Sequence, residues 1–297
     1  MATVGYILLC LIWGSTWLAI KIGVDAGMPP LLGAALRFST AAALVLPIAG
    51  LTAPAAFRSA RAWRLALSVG TLSFGLGYGL TYVAALRIPS GLGSLTFGFF
   101  PFLVAVLAHF MLGDRLTSRK VVAISIGIAG LALLFHGSLR ELGAATMVGV
   151  AIQTCSVLVQ GFAQILVKRE GGDVPSAFLT GVGMMTGGVT LAGFAAVMGE
   201  WSRPFPWTEP VVLSIGYLAL LGSATTFLIY YALMKRLSAT LMALIAMITP
   251  PIAVVLGIVY RDEELGALTL TGGVVVLFGV ALFQLEERRL ARRRVTG

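Results

Sequence analysis

The chain has 297 residues, 58% of them hydrophobic and 11% charged, with a mean hydropathy of +0.97. Polar groups this sparse cannot cover a water-soluble domain, so lipid is the solvent; at about 20 apolar residues per crossing, roughly ten or eleven spans use up the chain and leave no soluble domain. The net charge of +9 does not indicate a nucleic-acid partner, because the basic residues stand singly or in small groups between apolar runs and form no contiguous basic surface.

Apolar stretches bounded by charges, glycines or prolines predict helices over 3–24, 30–50, 63–86, 89–111, 118–136, 146–168, 176–198, 210–234, 238–260 and 266–285. The first is expected to be a span and not a signal peptide, since Met1 to Gly5 carries no lysine or arginine. It sets Tyr6, Trp13 and Trp17 on one stripe and Lys21 near its outer end, where the long stem lets the ammonium reach the surface. Helix two holds Arg37 several residues inside the span. Its charge requires water, a carbonyl or an anionic group, so it either ties helix ends together, gates the protein or attracts a substrate carboxylate.

Helix three is rich in glycine, at Gly70, Gly75, Gly77 and Gly79, which lets neighbouring helices approach and slide. It places Phe74, Tyr78 and Tyr82 at four-residue intervals, and Phe97 in helix four is grouped with these rings as lining. Pro101 in helix four and Pro250 in helix nine each remove a backbone hydrogen bond, and are read as hinges or as static kinks. Helix six carries Gln153, Gln160 and Gln164 within about 20° of one stripe. Facing lipid they would be costly, so they either bond neighbouring helices or line a cavity. Phe227 and Tyr231 in helix eight complete the aromatic set, whose alternative place is helix packing or the interfacial belts.

With the N-terminus in the cytoplasm, the inner loops and the tail hold fifteen lysines and arginines, against four in the outer loops, Arg87, Arg140, Arg203 and Arg261. The positive-inside rule then holds at every loop pair with both termini cytoplasmic, and the tail Glu286–Arg294 anchors the last helix. Cys10 and Cys155 match no metal or redox spacing and are read as packing residues, so neither metal nor cofactor is expected.

A shift of 149 residues carries Tyr82-Val83-Ala84-Ala85-Leu86-Arg87 onto Tyr231-Ala232-Leu233-Met234-Lys235-Arg236, Tyr78 onto Phe227, Pro101 onto Pro250, Asp114 onto Glu263 and Gly130 onto Gly279. A shift of 147 carries Trp13-Gly14 onto Gln160-Gly161 and Lys21 onto Lys168. The expected domains are therefore 1–140, helices one to five, and 141–297, helices six to ten. Because five is odd, the second copy enters from the opposite side. The fold class is an all-α membrane protein of ten transmembrane helices in two inverted five-helix repeats, an architecture in which one central site can face either side.

Trp13-Gly14-Ser15-Thr16-Trp17, Leu36-Arg37-Phe38, and the run from Pro101 through Gly113-Asp114-Arg115-Leu116-Thr117 to Gly130, echoed from Pro250 through Glu263-Glu264-Leu265 to Gly279, resemble the EamA-type branch of the drug/metabolite transporter superfamily. Asp114 stands where that pattern usually has glutamate, and Pro250-Pro251 is doubled. The resemblance implies an inner-membrane, ten-helix exporter of amino acids or similar small metabolites that hydrolyses no ATP.

All twelve acidic residues lie in loops or near helix ends, which favours a facilitator or exchanger over a proton-coupled carrier. His109 is read as an interfacial or packed histidine. The other readings are proton-coupled multidrug efflux, disfavoured by the missing pocket carboxylate, and a receptor or structural protein that moves nothing. An intramembrane enzyme finds no HExxH, G-x-S-x-G or P-loop to build on. The expected partners are a small-molecule substrate and membrane lipid, and the sequence sets no preference between monomer and homodimer.

Overall fold

The structure, a computed structural model, describes residues 2–88, 96–134, 143–249, 251–252 and 267–296. Among the described residues the helices are α1 (Ala2–Asp25), α2 (Pro30–Thr52), α3 (Ala60–Val69, continued by Gly70–Gly77 and Tyr78–Ala85), α4 (Phe100–Leu112), α5 (Ser118–Leu134) and α6 (Ala144–Glu170). They continue with α7 (Ser176–Val197), α8 (Glu209–Ala219, continued by Leu220–Thr225 and Thr226–Met234), α9 (Ala239–Thr249) and α10 (Ala267–Thr296). No strand occurs among the described residues, and α1, α2, α6, α7 and α8 are long and apolar enough to cross a membrane. Leucines, valines and phenylalanines such as Leu51, Phe110 and Val197 stand exposed on the outer surface, as lipid contact requires.

Helix ends follow local chemistry. Ser59 and Ser238 accept hydrogen bonds from the amides of Ala62 and Leu241 at the starts of α3 and α9. The first turn of α2 donates from Leu31 N and Leu32 N to the Glu200 carboxylate at 3.2 and 2.8 Å, which sets a negative charge against the positive end of the helix dipole. Gly113, with φ 71°, ends α4 in the left-handed conformation that lacks a Cβ clash.

Two segments depart from the hydropathy reading. The backbone turns at Gly98 and Phe99 before α4 begins, so Pro101 sits in the first turn of that helix, where its missing N–H leaves no intrahelical bond unmade. Pro101 thus lies just after a turn that separates helical Thr96 and Phe97 from α4, and its expected counterpart Pro250 lies outside the described residues. The last helix, expected to stop at 285, runs on to Thr296. Buried Glu286 accepts from Thr117 Oγ1 at 3.3 Å and Arg119 Nη1 at 3.5 Å and pairs with Arg289 one turn on, and the alanine, leucine and arginine around it favour helix.

Side-chain contacts join segments assigned to one side of the membrane. Arg61 reaches Asp173 and the Glu170 carbonyl, Tyr6 donates to Leu241 O, and Arg119 meets Glu286, all at the end read as cytoplasmic. At the other end Glu200 caps α2, Ser214 donates to Ala19 O, and Gly149 packs on Arg87 and Ile88.

Contacts are also reciprocal under the shifts found in the sequence. Gly14 lies against Ile252 and Gly161 against Leu103; 147 residues separate the glycines and 149 separate their partners. Where α5 packs along α10, Gly130 meets Gly272 and Val276 while Gly279 meets Ala123 and Gly127. Each of these three pairs, Gly130 with Gly279, Ala123 with Gly272 and Gly127 with Val276, is 149 residues apart. α3 and α8 each contain a π-helical segment, Gly70–Gly77 and Leu220–Thr225, and the second shifted back by 149 falls within the first.

Candidate functional site

α3 and α8 cross the middle of the bundle, and their π segments shift the phase of each helix by one residue. In α3 the result is a five-residue step from Ser73 to Tyr78, so Val69, Ser73, Tyr78 and Thr81 share one wall while Phe74 turns back into the core; Tyr82, four residues on from Tyr78 in regular α-helix, is buried against Arg37. The four-residue stripe of Phe74, Tyr78 and Tyr82 is corrected in this way. Only Tyr78 lines the central cavity.

That cavity has a volume of about 120 Å³. Trp13, Thr16 and Trp17 reach it from α1, Arg37 from α2, Gln160 and Gln164 from α6, Phe227, Tyr230 and Tyr231 from α8, and Met242, Ile245 and Thr249 from α9. Phe97 and Phe100 close it beside the start of α4. Of the residues singled out in the sequence, Trp13, Trp17, Arg37, Tyr78, Phe97, Gln160, Gln164, Phe227 and Tyr231 line the wall. Gln153 does not: it shares the angular stripe, but seven residues place it roughly 10 Å along the axis from Gln160, where it is buried with Nε2 unpartnered. Thr16, Ser73, Thr81, Tyr230 and Thr249 belong to the wall without having been foreseen.

Phe227 is the hub of the aromatic lining. Its ring lies 5.3 Å from Trp13, 4.7 Å from Phe74, and 5.9 Å from both Tyr230 and Tyr231. Trp13 also donates from its indole nitrogen to Thr226 Oγ1 at 3.1 Å, which fixes the ring against α8. On the opposite wall Gln160 Nε2 donates to Ser156 Oγ, which bonds Thr81 and donates to the Gly77 carbonyl, so the amide is held by the π segment of α3.

Arg37 is 1% exposed. Its Nε donates to Ser223 Oγ at 2.8 Å, Nη2 to the Gly222 carbonyl at 3.1 Å and Nη1 to Tyr82 Oη at 3.4 Å. The guanidinium carbon lies 4.9 and 5.3 Å from the ring centres of Phe38 and Tyr78. Ser223 and Gly222 belong to the π segment of α8, so Tyr82, expected at the wall, acts behind it as an orienting partner of the cation.

Past Val167 and Tyr231 lies a second cavity of about 70 Å³ bordered by Lys168, Gly171, Met234 and Lys235. There Lys168 Nζ donates to the carbonyls of Met234 and Leu237, both at 2.7 Å, tying α6 to the end of α8, whose last carbonyls have no intrahelical partner. Lys21, its match under the shift of 147, instead pairs with Asp25 at 2.6 Å in an exposed position.

No group of histidine, cysteine, aspartate or glutamate side chains placed to hold a metal occurs among the described residues. Cys10 is buried and Cys155 faces outward, both as free thiols. His109 is exposed, with Nδ1 2.9 Å from the Asp114 carbonyl at the end of α4.

The EamA-like transporter family model matches residues 1–136 and 147–285. The chain is 29% identical over 291 residues to the uncharacterised inner membrane transporter YedA of Escherichia coli (strain K12), covering 94% of this chain and 89% of the relative. It is 28% identical over 288 residues to a probable terminal-alkyne amino-acid exporter of Streptantibioticus cattleyicolor, covering 95% and 92%. A crystal structure of another protein superposes with a TM-score of 0.80 at 20% identity, covering 97% of this chain and 98% of that one, a likeness of fold alone.

Proposed function

This chain belongs to the EamA-like transporter family, and we propose that it is a secondary carrier exporting small amphipathic metabolites, amino acids first among them, across the inner membrane. The central cavity carries the proposal. Its wall draws on helices from both matched stretches and combines aromatic faces with hydroxyls, amides and one guanidinium, which suits a solute with an apolar body and a few polar groups. The relative named as an amino-acid exporter supports amino acids as the first class to test, and YedA, named as an inner membrane transporter, supports the location.

Transport proceeds by alternating access of two inverted halves, 1–140 and 141–297. The reciprocal glycine contacts and the same-side contacts of loops support this arrangement. In the conformation seen, Lys168 holds the end read as cytoplasmic closed, while Lys21 at the other end is turned to Asp25. In the opposite conformation Lys21 takes the closing part, on the carbonyls of Ala85 and Ile88, which the shift of 149 matches to Met234 and Leu237. No carboxylate lines the described wall, which supports facilitation or exchange without a proton-carrying acid.

The test is counterflow of labelled amino acids into liposomes holding the full chain, with and without a pH gradient. Flux indifferent to the gradient is expected. Accumulation that follows the gradient overturns the uncoupled mechanism, and no flux of any amino acid, nucleobase or lipophilic cation overturns the carrier itself.

A further inference from the structure

We propose that Arg37 is the carboxylate-recognising residue of the cavity and that Gln164 accepts a hydrogen bond from the other polar end of the same solute. The inference rests on the transport reading above and narrows its substrate class to carboxylates on an apolar or aromatic body.

Among the described residues the ion pairs are Lys21 with Asp25, Arg61 with Asp173, and Glu286 with Arg119 and Arg289; Arg37 has none. Ser223, Gly222 and Tyr82 accept from the three guanidinium nitrogens and the Tyr78 hydroxyl also bonds the group, so the fork is oriented wholly by neutral acceptors. Three hydroxyls and a carbonyl do not neutralise a unit charge. A buried cation in this state is strongly disfavoured until an anion joins it, and a planar carboxylate is the acceptor that matches the geometry of the fork.

Gln164 supplies the second observation. It is 5% exposed, its Nε2 donates to the Ala239 carbonyl, and its Oε1 has no partner. The bond to Ala239 fixes which end of the amide is which, so the free atom on this cavity residue is an acceptor. It takes an ammonium, amine or hydroxyl. The same cavity wall carries the rings of Tyr78 and Phe227, which favour a flat apolar body. A lipophilic cation meets the repulsion of Arg37 and finds no carboxylate on the described wall.

Binding to the purified full chain would be measured for three labelled probes: 3-phenylpropionate, phenethylamine and L-phenylalanine. The wild type is expected to bind 3-phenylpropionate at least about tenfold more tightly than phenethylamine, since only the former gains a charge-assisted fork at Arg37. Arg37→Gln should abolish that preference, and Arg37→Lys, which keeps the charge but not the fork, should retain part of it. Gln164→Leu should weaken phenylalanine while leaving 3-phenylpropionate unchanged; equal loss for both removes Gln164 from the site. Equal affinity of the wild type for the acid and the amine, a comparison needing no variant, overturns the Arg37 assignment, as does a preference that survives in Arg37→Gln. Counterflow separates the two levels of inference: flux of phenethylamine matching that of 3-phenylpropionate leaves a carrier without a carboxylate site, and no flux of any probe or amino acid removes both.

Discussion

Tyr78 and Phe227 stand 149 residues apart in sequence and meet edge to face in the wall of the central cavity, with ring centres 6.4 Å apart. One register therefore supplies neighbouring parts of the wall from α3 and α8. On the alternating-access mechanism proposed above, matched residues from the two halves keep a similar lining when either half moves.

The two rings differ in burial, and their truncations should differ accordingly. Phe227 is 5% exposed and touches five other rings, so Phe227→Ala should lower stability by about 3 kcal/mol through a cavity in the core, read as a lower unfolding temperature in detergent. An unchanged melting curve would show that the surrounding rings collapse into the space.

Trp17, Tyr78 and Gln160 face the cavity and contribute less to the core. Their alanine variants should reach the membrane in normal amount and raise the half-saturation concentration of an aromatic amino acid about tenfold, because each removes a contact made with the solute. Unchanged kinetics in all three would refute the lining.

Lys168 holds two carbonyls across the end read as cytoplasmic. In a protein lacking Cys10 and Cys155, a cysteine placed at Ala163 on the cavity wall reports access from the cytoplasmic face. Adding Lys168→Gln should speed its reaction with a membrane-impermeant maleimide about tenfold, a change of roughly 1.4 kcal/mol and less than two hydrogen bonds to a charged group contribute. Equal rates would mean that the closure lies elsewhere.

Gly279 and Gly50 make a matched pair of tests. A Cβ at Gly279 would lie 2.7 Å from both the Ala123 carbonyl and the Gly127 nitrogen, which are backbone and cannot move cheaply, so Gly279→Ala should destabilise by about 1–3 kcal/mol. Gly50 meets nothing within 4 Å in α2, so Gly50→Ala should raise stability by about 0.5–1 kcal/mol through helix propensity. Thermal unfolding of the two proteins reads both signs, and destabilisation in both would remove the steric argument.

Hydropathy and charge determined the helices and their alternation, because each span must satisfy its own backbone in lipid and its flanking arginines must find water. The register shifts matched Gly130 with Gly279 and Tyr78 with Phe227; that the glycines meet reciprocally across α5 and α10 and that the rings touch came from the structure. Tertiary structure alone decided the rest. The π segments of α3 and α8 leave no mark in hydropathy, since they insert no unusual residue, yet in α3 the one-residue slip sends Phe74 into the core and brings Ser73 to the wall with Tyr78. Helix angle placed Gln153 with Gln160 and Gln164, and only axial position separated it from the cavity. Arg37 was visible as a charge within a span, but its want of a carboxylate partner depends on which side chains the packed bundle brings within reach, and that is set by distance across helices and not by order along the chain.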